Sequence, residues 1–182
     1  TWLLWRLLNG VEKRTGLIGT VLIDDGNETA RAEMTTPPAI ELSRTLSVMV
    51  ENGCKFAAME VSSHSLAQKR VAGLSFGIGV FTNLTQDHLD FHKTMEAYGA
   101  TKAELFKMLP ADGLAVLNAQ DAAAELMLRG CKARALRCME IAAGATAPTD
   151  GASVRIVEMD RVGMKLALTG PFGAIDVWVP LV

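Results

Sequence analysis

Cysteine, aromatic residues and excess charge of either sign are all scarce in this chain, and each shortage closes off a class of protein. Its 182 residues contain three cysteines, Cys54, Cys131 and Cys138. The number is odd and no pair has C-x-x-C spacing, so neither a disulfide framework nor a thiolate zinc site is expected, and a reducing compartment is. Lys and Arg total 18 against 20 Asp and Glu, a formal charge of −2, which excludes a strongly basic nucleic-acid surface. No apolar run approaches the ~18 to 20 residues a membrane-spanning helix needs. The opening Thr1 to Leu8 run carries Arg6 and leads to no small-residue cleavage site, so it does not read as a secretory signal. A monomeric cytoplasmic protein with no nucleic-acid or membrane partner is expected. Repeats and low-complexity tracts are lacking, and no linker is long enough to mark a second domain. With 49% hydrophobic and 21% charged residues, one globular domain is anticipated.

Periodicity predicts the order of elements. Trp2 to Val11 has helical spacing, Gly16 to Ile23 reads as a buried strand, Asp24 to Gly26 as a turn, and Ala39 to Val50 as a helix behind Pro37 and Pro38. Strands are expected at Lys55 to Val61, Phe76 to Thr82, Gly113 to Leu117 and Ala133 to Met139. Between them come a short helix or turn at Ser62 to Ala67, a strong helix at Met95 to Leu109 and a helix at Asp121 to Leu128. This alternation is the pattern of βαβ units, so the fold class is α/β: a mostly parallel sheet flanked by helices. Beyond Gly144, strands at Ala152 to Met159, Val162 to Leu168 and Ala174 to Val179 have short connections, which suit a small antiparallel β extension beside the main sheet. The Thr1 start and the strand-like VWVPLV end both read as the edges of a piece of a longer chain.

In open parallel sheets, ligands collect beyond the carboxyl ends of the strands. There the sequence places Glu60 at the end of an apolar run, the Asn83 to His92 loop, and Thr35 and Thr36 ahead of a helix start. The residues alone leave each reading open. The threonines either cap that helix or join its N–H groups in an anion site. Glu60 is either a surface carboxylate or a functional one short of solvent. The Asp87, His88, Asp90, His92 cluster is either a metal site or a solvated loop, and Lys102, by spacing, is a solvated helix lysine.

Five segments narrow the choice: TTPPA (Thr35–Ala39), MEVSSHSLAQKRV (Met59–Val71), FTNLTQDHLDFH (Phe81–His92), MEAYGATKAELF (Met95–Phe106) and VLNAQD (Val116–Asp121). Their order and spacing resemble the central, ATP-binding domain of the Mur ligases, a P-loop-NTPase-like fold, from about Thr1 to Val182. The resemblance implies ATP-driven amide formation through an acyl phosphate, with ATP and Mg2+ as cofactors. EVSSH with downstream Gln68 and Arg70 is most similar to members that extend UDP-MurNAc-L-Ala-D-Glu by its third amino acid. Meso-diaminopimelate is the commoner choice for that residue and L-lysine the other. Carried over, Glu60 resembles the magnesium carboxylate, His88 the second-metal histidine, and Lys102 a lysine that reacts as its neutral amine with carbon dioxide to give a carbamate. Those residues are the expected catalytic and metal set, converging on the nucleotide's terminal phosphate. Thr35, Thr36, Ser62, Gln68 and Arg70 resemble the residues that bind the UDP-muramoyl dipeptide, and Asn118 an asparagine near the adenine.

Two departures qualify this. Met34 stands before the threonine pair, where close relatives carry a polar side chain. The family's GxxxxGK[ST] phosphate loop, which would precede Thr1, is not in the chain, and neither are the flanking UDP-binding and amino-acid-binding domains. The chain alone is therefore expected neither to hydrolyse ATP nor to ligate. Alternatives are a sibling ligase (folylpolyglutamate synthetase, cyanophycin synthetase or another Mur enzyme), a metal-dependent hydrolase built on the Asp87–His92 cluster, and a non-catalytic interaction domain.

Overall fold

The computed structural model describes residues 1–142 and 151–180. Among these the strands form two sheets, and the chain divides into two compact units, one running to Leu74 and the other from Ser75. The division falls in the turns and open chain after the Ser63–Ala67 helix, a stretch too short to read as a linker in the sequence.

The first unit opens with α1 (Trp2–Gly10), which buries none of its residues, so the apolar face that periodicity assigns to it stays largely exposed. Asn9 ties it to the sheet by donating to the Thr15 carbonyl at 3.1 Å and accepting from the Thr15 N–H at 3.1 Å. The apolar run expected as one strand is two: β1 (Thr15–Ile18) bends at Gly19 to Val21 and returns antiparallel as β2 (Leu22–Asp24), pairing Ile18 with Ile23. A third short strand, β3 (Thr29–Arg31), has every residue exposed, so no burial pattern marks it in the sequence. Helix α2 (Ala39–Glu51) starts behind Pro38 and buries Leu42 and Met49. Gly16 in β1 lets it approach, since a Cβ there would lie 2.4 Å from the Met49 Sδ. Strand β4 (Phe56–Met59) then pairs parallel with β1, from Thr15 opposite Phe56 to Ile18 opposite Met59, and α3 (Ser63–Ala67) follows directly. The sheet order is β3-β2-β1-β4.

The second unit holds β5 (Ile78–Phe81), the short α4 (Leu89–His92), α5 (Met95–Lys107), β6 (Leu114–Asn118), α6 (Ala124–Met127) and β7 (Arg134–Glu140). Strands β8 (Gly151–Met159), β9 (Gly163–Gly170) and β10 (Gly173–Pro180) complete it. β5, β6 and β7 are parallel neighbours, and β8 joins β7 in parallel before the chain turns antiparallel through β9 and β10. The antiparallel strands thus continue the sheet edge to edge instead of packing beside it. A core of Phe81, Ala103, Phe106, Leu109, Ala115, Leu117, Ala124 and Met127 packs α5 and α6 against β5 and β6. Burying these apolar side chains is the main force holding α5 in place.

Candidate functional site

The residues expected to carry chemistry fall into two groups, one in each unit. In the first, the bend after β1, the loop ahead of α2 and the turn from β4 into α3 come together. Glu60 follows the last residue of β4, where its N–H donates to the Ile18 carbonyl at 2.9 Å. Its carboxylate is gripped on one oxygen: the Thr20 hydroxyl donates to Oε2 at 2.5 Å and the Thr20 N–H at 3.2 Å. The other oxygen, Oε1, lies over Gly19, where a Cβ would come within 3.2 Å of it.

Neither threonine of the Thr35–Thr36 pair caps α2, whose N-cap is Pro38 with no side-chain bond. Thr36 is fully enclosed, 1% exposed. Its hydroxyl donates to the Glu60 carbonyl at 2.8 Å and accepts from the Ser62 N–H at 3.0 Å. It locks the loop to the strand exit, and its hydroxyl is spoken for inside the protein. Thr35 Oγ1 instead lies 3.1 Å from Thr20 Oγ1. Ser62 caps α3 by accepting from the Ser65 N–H at 3.2 Å, and Thr36 lies 3.4 Å from the same oxygen. The cap leaves the Ser62 proton unused, and because Thr36 has already given its own proton to the Glu60 carbonyl, only Ser62 can donate across the long 3.4 Å contact.

Gln68 and Arg70 interlock. The guanidinium donates through Nε and Nη2 to Gln68 Oε1 at 2.9 and 2.6 Å and through Nη1 to the Thr36 carbonyl at 2.8 Å. Its Nη1 also reaches the Met34 sulfur at 3.4 Å, so the thioether occupies the place of a polar neighbour. These partners are all neutral. A guanidinium oriented by uncharged acceptors keeps its charge for an anion, and its fork suits carboxylate or phosphate.

In the second unit the centre is Tyr98 of α5, 5% exposed. His92 stacks on its ring with centroids 5.1 Å apart, His88 meets it edge-on at 5.9 Å, and the Lys102 ammonium lies 4.9 Å from the ring centroid. His88 caps α4 in the left-handed conformation, φ 54°, with its N–H donating to Asp87 Oδ1 at 2.8 Å. Histidine tolerates that region better than most residues, and its use marks a constrained backbone. Asn118, at the end of β6, donates to the Thr82 carbonyl at 2.9 Å and accepts from the Gln120 N–H at 3.0 Å. Asp121 clamps the start of the Leu84 to His92 stretch by accepting from the Leu84 N–H at 2.9 Å.

The Asp87–His92 stretch does not form a metal cage. His92 is buried against Tyr98, and among the described residues no group of three or more His, Cys, Asp or Glu side chains is assembled around a common point. A catalytic zinc site gathers three such ligands, so the hydrolase expectation loses its footing. Burial pushes the Cys54 and Cys138 thiols above their ordinary value, which makes neither an activated nucleophile. Thr20 and Tyr98 were not singled out in the sequence. Thr20 lies inside an apolar run and Tyr98 at a core position of an amphipathic helix, and neither place signals a polar role.

Against known proteins, the model of the Mur ligase middle domain matches residues 2–182. A UDP-N-acetylmuramoyl-L-alanyl-D-glutamate--2,6-diaminopimelate ligase from Phocaeicola vulgatus is 39% identical over 176 residues, covering 94% of this chain and 36% of that protein. The enzyme of the same name from Gloeobacter violaceus is 53% identical over 107 residues, 59% of this chain and 22% of its own length. A solved structure of a ligase with this name superposes over 100% of the chain and 36% of its own, with a TM-score of 0.81 at 29% identity. The chain thus spans about a third of the length of these relatives. No helix among the described residues is long and apolar enough to cross a membrane.

Proposed function

We propose that this chain, which belongs to the Mur ligase family as its middle domain, is the ATP-handling core of a longer, cytoplasmic ligase. That ligase adds 2,6-diaminopimelate to UDP-MurNAc-L-Ala-D-Glu. The observation that carries the reading is the first unit's cluster, in which one loop joins an oriented carboxylate, Glu60, to an oriented guanidinium, Arg70. Such a pairing of an acidic and a basic group suits a substrate whose anions and cation must be handled side by side.

The reaction has two halves. The terminal carboxylate oxygen of the D-Glu residue bonds to the γ-phosphorus as the bond to the bridging oxygen of ADP breaks, giving an acyl phosphate. The amine of diaminopimelate then adds to the acyl carbon, and the tetrahedral adduct expels phosphate to leave the amide. Neither half asks the protein for a covalent nucleophile. The protein supplies position and charge.

Arg70 and the Ser62 hydroxyl hold the anionic end of the UDP-muramoyl dipeptide, with Gln68 fixing the guanidinium plane. Thr35 contacts the same substrate through its hydroxyl, and Thr36 through its backbone. Asn118 shapes the adenine's surroundings by holding Thr82 and Gln120 together.

Mg2+ fits Glu60 by donor type, because a hard cation takes one or two carboxylates and fills its remaining places with phosphate and water. When bound, it would neutralise charge on the phosphate oxygens. His88 is a softer donor than this cation prefers. Lys102 offers no lone pair as an ammonium and becomes an oxygen donor on carbamylation; the family resemblance alone assigns it and His88 to metal binding.

The test is amide formation by the full-length protein from UDP-MurNAc-L-Ala-D-Glu, ATP and either diaminopimelate or lysine, with a folate substrate as the control for the sibling ligases. Diaminopimelate-dependent release of phosphate supports the proposal. Turnover with the folate alone, or with neither substrate, contradicts it.

A further inference from the structure

We infer that Thr20 is a positioning residue of this site, one that aims the Glu60 carboxylate and turns Thr35 into an acceptor toward bound substrate; the inference rests on the ligase reading above. A threonine hydroxyl carries one proton, and an ionised carboxylate can only accept. Thr20 therefore spends its proton on Glu60 Oε2, where its backbone N–H also donates. Two donors on one oxygen fix the rotation of the carboxylate and leave Oε1 out of the pairing, facing Gly19. The free oxygen is the one that can meet a cation.

The same proton count sets the direction of the next contact. With its own proton used, Thr20 Oγ1 can only accept from Thr35 Oγ1 at 3.1 Å. Thr35 is then the donor inward and presents lone pairs outward. It recognises an N–H or O–H of the substrate, such as a peptide amide or a sugar hydroxyl, and repels a phosphate or carboxylate oxygen. Anionic groups are left to Arg70 and Ser62. The β1–β2 hairpin holds Thr20 in place, since Gly19 N–H donates to the Leu22 carbonyl at 3.1 Å and Ile18 pairs with Ile23. Thr20 itself is exposed, so its hydroxyl is not needed to satisfy a buried group.

Thr20→Val and Thr20→Ser in the full-length protein test this, with Mn2+ as the probe, bound to nucleotide-free protein and followed by electron paramagnetic resonance. Partners behind a metal ligand typically govern affinity by about ten- to a hundredfold, so Thr20→Val should weaken Mn2+ binding at least about tenfold. It should also shift the Mg2+ dependence of turnover by the same factor, with an unchanged thermal melt. Thr20→Ser should restore both. Unchanged Mn2+ binding in Thr20→Val overturns the inference, and so does a serine variant as impaired as the valine one, or a wild-type protein that binds no Mn2+. Protein that binds Mn2+ as expected yet forms no amide would instead count against the ligase reading, leaving the role of Thr20 to be judged on the Mn2+ titration.

Discussion

The two clusters are held by different forces. Around Glu60 the hydrogen bonds are directional: Thr35 and Thr20 lead to its carboxylate, and the Ser62 N–H and Thr36 hydroxyl lead to its carbonyl. Around Lys102 the organising group is the ring of Tyr98, and the ammonium rests on it with no carboxylate at ion-pair distance among the described residues. Hydrogen bonds fix orientation, so the first cluster is preorganised. Ring contacts fix proximity and leave rotation open. A lysine held only by a ring has no ion pair to break, although carbamylation would remove the positive charge and with it the cation–π contact. The comparison teaches that the fold keeps the carboxylate rigid and the amine adjustable.

Breaking the support beneath the adjustable cluster should have the largest effect. Phe106, on the buried face of α5, is 2% exposed, and Phe106→Ala should cost about 3–5 kcal/mol of stability, read by chemical denaturation. Next comes the rigid cluster. Glu60→Gln keeps the shape and removes the charge, and turnover by the full-length protein should fall by about 10²–10³ with its thermal melt nearly unchanged. Tyr98→Leu sharpens the contrast: it keeps an apolar filling but removes the ring under Lys102, for a loss of about tenfold in turnover.

How far the sequence could be read depended on what each signal reports. The helices α2 and α5 carry helical spacing, β5 and β6 alternate between more and less buried residues, and β8 to β10 are set off by short turns, so their place and order were legible. Gly16 to Ile23 was not, because an unbroken apolar run looks the same whether it is one strand or a hairpin that turns at Gly19 to Val21. Strand β3, exposed along its whole length, leaves no pattern to read. The same blindness hid Thr20, whose partner Glu60 lies 40 residues away along the chain. Thr36 shows the converse: the family pattern names it as a substrate residue, and only the fold reveals that its hydroxyl is turned inward.

The smallest effect lies away from both clusters, in the β2–β3 turn. The N–H groups of Glu28 and Asn27 hold the Asp25 carboxyl below its ordinary value. A lowered folded-state value means the unfolded chain takes up protons first as pH falls. The stabilisation is therefore present above the ordinary carboxylate range and disappears as pH drops through the lowered value. Asp25→Asn should flatten the fall in melting temperature as pH drops through and below the ordinary carboxylate range, while leaving turnover at neutral pH intact.

One isotope experiment tests the chemistry itself. UDP-MurNAc-L-Ala-D-Glu carrying ¹⁸O in its terminal carboxylate is turned over with ATP and diaminopimelate by the full-length protein, and the released phosphate is weighed by mass spectrometry. Attack of that carboxylate on the γ-phosphorus predicts one ¹⁸O in each phosphate formed. Unlabelled phosphate accompanying amide product would contradict the account.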